Sequence, residues 1–202
     1  MLLNEIKMPV QKRSIDRLEK VIKTTIELLE YKTLEQCNIQ EISQLSSVPR
    51  NHIYQYFPTI DHIYSLIVNR YFMKLRNEVI FNNEIYKTWA IMTIIKDALS
   101  KTCDFYNKNK AASVLILGGP VNVDGFSLQE MVIEQISKDL TVIFTKKNNP
   151  LVLKKKDDIT IMIELVFALM KYSFYKNKHI TDEIQEEILL VCAAYLSQKD
   201  YI

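Results

Sequence analysis

The chain has 202 residues, enough for one sizeable core or for a small domain packed on a larger one. Only 3 Gly and 5 Pro interrupt it, and no convincing run of strand alternation appears, so the expected fold class is all-α. A formal net charge of +2 announces no nucleic-acid partner by itself, and three scattered cysteines (Cys37, Cys103, Cys192) without a CxxC pair suggest neither a disulfide framework nor a zinc site.

In chain order, MLLNEIKMPV carries an acid early and lacks an apolar stretch of signal-peptide length, which points to a cytoplasmic protein. Residues 1–23 hold six bases against three acids, a local positive excess. Ser14 is expected to cap a helix reaching about Tyr31, with Ile15, Leu18, Ile22, Ile26 and Leu29 forming its apolar stripe. Asn38 followed by Glu41 reads as the capped start of a short second helix, Ile39 to Leu45, with Ile42 and Leu45 turned inward. Ser46, Ser47 and Val48 then form a turn, and Pro49 suits the first turn of a third helix whose buried edge is Ile53 and Phe57. Thr59 caps a fourth helix from Ile60 to about residue 83, a link between a domain at 1–60 and the remainder at 84–202.

Two short helices across a three-residue turn, packed on a preceding amphipathic helix, have the layout of a helix-turn-helix DNA reader. The stretch NIQEISQLSSVPRNHIYQYFPTIDHI, Asn38 to Ile63, sharpens this. It resembles the DNA-binding signature of the TetR/AcrR family of bacterial transcriptional regulators, with Ile42, Val48, Ile53, Tyr54, Tyr56, Phe57, Thr59, Asp61 and Ile63 in register without a gap. The likeness covers about residues 13–70. Three positions depart from the pattern: the turn glycine is Ser47, the serine after it is Pro49, and a phosphate-meeting lysine is Ile60.

The resemblance implies that the third helix enters the major groove, with Pro49, Arg50, Asn51 and His52 nearest the base edges. Arg50 suits the paired acceptors of guanine, and Asn51 the donor and acceptor of adenine. Gln55 is placed to reach a base or a phosphate, while Tyr54 and Tyr56 are implied phosphate clamps. Asn38 with the open N–H groups of the second helix forms a further phosphate site, joined by Thr59, and Lys12, Arg13 and Arg17 are expected to add salt-sensitive affinity. The ordinary alternatives are a merely solvated face for Arg50 and Asn51, a core place for Tyr54, and surface positions for His52 and His62, with no metal site.

Beyond the fourth helix the periodicity predicts helices at 87–107, 111–117, 126–145, 157–176 and 181–198. Residues 159–175 are the most apolar window, but Glu164 and Lys171 interrupt it and it falls short of the ~20 apolar residues of a membrane span. The resemblance implies a C-terminal helical bundle that pockets a small effector and forms a homodimer through its last two helices. Ile159, Ile163, Val166 and Met170, with Ile184, Ile188, Val191 and Tyr195, are the expected dimer residues. Trp89, Met92, Phe105, Tyr106, Phe126, Met131, Phe144, Phe167 and Tyr172 are the candidate pocket lining, with plain core as the other reading. No cofactor is implied, and no phosphate-cradling loop, HExxH or nucleophile–base pattern suggests an enzyme. The expected function is therefore an effector-responsive regulator, a repressor in the first instance, on a palindromic DNA operator. A helical adaptor acting by protein contact is the alternative.

Overall fold

A computed structural model describes Ile6, residues 8–79, 83–118 and 123–202, with the side chains of 83 and 123–128 outside the description. The described residues form ten α-helices and no strand: α1 Lys12–Leu29, α2 Ile39–Ser46, α3 Arg50–Tyr56, α4 Ile60–Val79, α5 Asn83–Tyr86, α6 Ile91–Lys108, α7 Lys110–Ile116, α8 Val123–Lys146, α9 Asp158–Asn177 and α10 Asp182–Gln198. The expected all-α class holds. Packing divides the chain into two compact units, residues 1–72 with 110–128, and residues 73–109 with 129–202. The helical pair α7 and the start of α8 thus belongs with the N-terminal helices despite its place late in the sequence.

In the first unit α1 packs against α2, α3 and α7. Its buried stripe is Leu18, Val21, Ile22, Thr25, Leu28 and Leu29, while Ile15 is 40% exposed, so the stripe begins one turn later than the sequence suggests. Ser14 is not the cap: the helix begins at Lys12 behind Gln11, whose carbonyl accepts the Ser14 N–H at 2.9 Å. The open first turn of α2 is closed as expected, by Asn38 Oδ1 accepting from Glu41 N–H at 3.0 Å. Glu41 itself turns to Lys32 Nζ, 2.6 Å away. Leu45, expected inward, is 58% exposed, because an eight-residue helix that buries Ile42 also buries Ser46 four residues on and leaves Leu45 between them facing out.

Ser47 ends α2 in the left-handed region, φ 56°, ψ 27°, where a side chain crowds its own carbonyl at about 1 kcal/mol. The turn is held by Ser43 Oγ donating to the Val48 carbonyl at 2.7 Å, and Val48 is buried. At the start of α4, Thr59 N–H and Thr59 Oγ1 lie 3.3 and 2.9 Å from His62 Nδ1. His62 is buried, not a surface histidine, because its ring serves as the partner that the N-terminal turn of α4 needs. Arg70 on α4 grips Glu19 on α1 with its two terminal guanidinium nitrogens at 2.6 and 2.7 Å.

In the second unit α10 packs against α6 and α9. Asn107 at the end of α6 clamps Ile180 before α10, exchanging two hydrogen bonds of 2.8 Å with its backbone. Thr181 caps α10. A buried carboxylate organises the other end. Asp158, in the first turn of α9, accepts from Tyr201 Oη at 2.6 Å, Lys199 Nζ at 3.1 Å, Tyr195 Oη at 3.2 Å and Lys155 N–H at 3.1 Å. The Tyr201 hydroxyl is the main cause that draws its pKa down to about 2, against burial, which pushes the other way. A carboxylate with a depressed folded pKa stabilises the fold above its ordinary value near 3.8, and that contribution disappears as pH falls towards 2. Asp158→Asn is accordingly expected to lower Tm at neutral pH by about 5 °C. The gap to the unsubstituted protein should close between about pH 4 and pH 2 in melts followed by circular dichroism.

Candidate nucleic-acid interface

α3 is seven residues long and two-sided. Ile53 and Phe57, one turn apart, are 1% and 0% exposed, and with Ile42 and Val48 they fix the helix to the body of the first unit. That anchoring leaves Arg50, Asn51, Tyr54 and Gln55 exposed and His52 and Tyr56 half-buried. Pro49 occupies the N-cap with φ −55°, and its carbonyl accepts from His52 N–H at 2.9 Å and Ile53 N–H at 3.2 Å. The proline therefore starts the helix without a hydroxyl.

Tyr54 is 51% exposed, which removes the core reading for that ring. Two contacts that the sequence did not suggest lie on the same face. Asn51 Oδ1 accepts from the His52 backbone N–H at 3.0 Å, and His52 Nδ1 lies 3.2 Å from Gln55 Oε1. Their spacings, one residue and three, are what a helix start and a helix turn bring together, so residue types at those offsets were the available signal.

Around α3, Asn38 and Thr59 are exposed at the starts of α2 and α4, and Lys12, Arg13 and Arg17 are exposed along the first turns of α1. Ile60, where the resembling pattern has lysine, is half-buried. No group of three His, Cys, Asp or Glu suited to a metal occurs among the described residues.

The expected pocket residues are dispersed in environment. Phe105, Tyr106, Phe144 and Phe167 are at most 2% exposed, and Tyr106 stands edge-on to both Phe105 and Phe167 at 5.8 and 6.3 Å. Trp89, Met92 and Met131 are half-buried. Tyr172 faces solvent beneath Lys176 Nζ, 4.7 Å from its ring centre. The Phe126 side chain lies outside the described residues.

Of the expected dimer residues, Ile159, Ile163, Val166 and Met170 on α9 and Ile188 on α10 are buried within the chain's own core, and Ile184, Val191 and Tyr195 are half-buried. α9 instead leaves Ile161, Leu165, Ala168 and Tyr172 exposed at spacings of four, three and four, one continuous stripe, while α10 exposes Leu190 and Ala194.

Among solved structures, a TetR-family transcriptional regulator from Streptomyces coelicolor matches over 92% of this chain and 98% of its own, with a TM-score of 0.61 at 16% identity. The chain has the TetR fold. A TetR transcriptional regulator from Rhodococcus sp. RHA1 matches over the same shares at TM-score 0.61 and 13% identity. The fatty acid degradation regulator FadR from Bacillus halodurans matches over 92% of this chain and 97% of its own, at TM-score 0.63 and 11% identity. No protein-family model and no curated protein sequence matches the chain. The TetR fold thus extends over nearly the whole chain, well past the segment in which the signature residues lie. Among the described residues, no helix is long and apolar enough to cross a membrane.

Proposed function

We propose that the protein is a TetR-type transcriptional regulator that binds a palindromic DNA operator as a homodimer and is released by a small-molecule effector. The observation that carries this reading is α3: a short helix pinned by the buried Ile53 and Phe57, with Arg50, Asn51 and Gln55 outward, in a chain of TetR fold. Arg50 and Asn51 read base edges in the major groove. Tyr54, Tyr56, Thr59 and Asn38 at the start of α2 position the backbone, and Lys12, Arg13 and Arg17 add counterion-releasing contacts.

The dimer interface is placed on the exposed stripe Ile161, Leu165, Ala168 and Tyr172, with Leu190 and Ala194, because residues already buried in the chain's own core have no surface left to give a partner. Two such helix pairs would make a four-helix contact about a two-fold axis. An effector acts by preferring the arrangement of the dimer that fits the operator less well, at a coupling of about 1 to 3 kcal/mol. Half-buried Trp89, Met92 and Met131 are the pocket candidates that keep some open surface.

The test is selection from random duplexes. A palindrome should emerge, with affinity falling steeply in salt. Arg50→Ala should relax preference at one base pair by about 1 to 3 kcal/mol, whereas Lys12→Ala should weaken all duplexes alike and reduce the salt slope by about one. Failure to select any duplex would sink the reading. It would favour the adaptor alternative, which has in its support Ile60 at the position of the missing lysine and a net charge of only +2.

A further inference from the structure

The exposed stripes of α9 and α10 end in opposite charges. On α9 the stripe of Ile161, Leu165, Ala168 and Tyr172 is closed by exposed Lys176, whose Nζ lies 4.7 Å from the Tyr172 ring centre. On α10 the exposed Leu190 and Ala194 are preceded, one turn earlier, by exposed Glu186 and Glu187. Among the described residues none of Lys176, Glu186 and Glu187 has a charged partner in its own chain. Glu183 is also exposed, but its own backbone N–H and the Thr181 hydroxyl hold its carboxylate below the usual range, so it is engaged locally.

The two helices are joined by residues 178–181 and pack on each other, so they run antiparallel, and residues equally far from that connection share a height. Counted from Asn177, the last residue of α9, and Asp182, the first of α10, Leu165 and Ala194 both stand twelve residues away. Ala168 and Leu190 stand nine and eight away, and Tyr172 and Glu187 five each. At two successive heights a large side chain on one helix is therefore level with a small one on the other. All four are exposed on the single chain, and α9 of one copy laid against α10 of another seats each leucine over an alanine. Long side chains lean towards the start of their own helix, which brings the Lys176 ammonium to the height of Tyr172 and hence of the α10 acids.

We infer that this face takes a second copy of the chain, α9 of each lying antiparallel on α10 of the other about a two-fold axis along the helices, with Lys176 of each copy paired to Glu186 and Glu187 of the other. The inference rests on the homodimer reading and goes further by fixing the direction and register of the contact and naming the charges that select it. Symmetry makes the pairing occur twice. Exposed pairs add little affinity, whereas like charges brought together by a shifted register oppose it, so the charges act as a selector and the apolar stripe supplies the adhesion.

Sedimentation of the full chain over a concentration series tests it. Lys176→Glu in one variant, and Glu186→Lys with Glu187→Lys in another, should each raise the dimer Kd about tenfold at low salt, because each sets like charges against one another at both contacts. The difference should shrink at about 1 M salt. The deciding arm mixes the two variants, one of them carrying a fluorophore. Each contact of the mixed pair again joins lysine to glutamate, so heterodimers should form with the affinity of the unsubstituted protein. An ion pair within one chain gives no such rescue, because each variant keeps its own mismatch. Dimers indifferent to both charge reversals, or weakened dimers that mixing does not restore, overturn the inference and leave the homodimer reading intact. An unsubstituted chain that stays monomeric throughout the series overturns both.

Discussion

Phe57→Ala is expected to cost about 3 to 5 kcal/mol of stability, the range for deleting a fully buried aromatic ring. Phe57 is 0% exposed, closes α3 with its N–H on the Ile53 carbonyl at 2.9 Å, and lies with Ile53 on the side of α3 that faces the core. Ile42, Ile53 and Ile63 of the same unit are likewise fully buried, and a densely packed core relaxes only in part around a deleted ring. Urea denaturation should show the loss as a lower midpoint, and duplex binding should fall with it at temperatures where the substituted unit is partly unfolded. Tyr54→Ala provides the contrast three residues earlier. A half-exposed ring contributes little to the fold, so its removal should change stability by no more than about 0.5 kcal/mol. Its effect should instead appear as weaker binding to every duplex, as for a side chain that contacts backbone. Equal losses of stability from the two substitutions would contradict the two-sided description of α3.

If the proposed homodimer forms through the α9 stripe, Leu165→Glu is expected to leave the chain monomeric. Leu165 sits 39% exposed in the middle of the α9 stripe, between Ile161 and Ala168. In a contact related by a two-fold axis one substitution places two like charges in the same apolar patch, at a cost of several kcal/mol. Sedimentation at micromolar concentration should show one chain for the variant and, on this proposal, two for the unsubstituted protein. Affinity for a palindromic duplex should drop by about 10²- to 10⁴-fold, because the second half-site is no longer held at high effective concentration. Affinity for an isolated half-site should be unchanged. Ile161→Glu should behave similarly. A dimer that survives both changes would mean that the stripe is covered by something else.

Much of the first unit was legible because its signals are local. Asn38 as cap, the three-residue turn, Pro49 at the helix start, and Ile53 with Phe57 on one edge each depend on neighbours within one helical turn, where residue type and backbone geometry are tightly coupled. The errors have a common origin. Leu45 and Ile15 are apolar residues at plausible helical spacing, and only the packing of whole helices decides which of two adjacent registers faces the core. His62 was missed for the reverse reason: a histidine at the third position of a helix looks solvent-facing until its ring is seen to serve the backbone of Thr59.

The same limit governs α9. Its apolar residues surround the helix, so periodicity cannot separate those that fill the chain's own core from those left uncovered; Ile163 and Leu165 look alike in sequence and differ in burial. The orientation of Asn51 and Gln55 was beyond reach for another reason. Residue type gives the groups an amide owns, while a neighbour in space decides which contact it makes within the chain.

The Asp158 hub makes the first turn of α9 depend on residues that follow α10. A chain with Lys199 and Tyr201 both replaced by alanine would keep the buried carboxylate while losing two of its partners. Burying a charge left so poorly compensated favours local opening of α9 at its first turn. Such an opening would be the place where a protease first gains access to this unit, so resistance to limited proteolysis at the start of α9 depends on a contact some forty residues away in sequence.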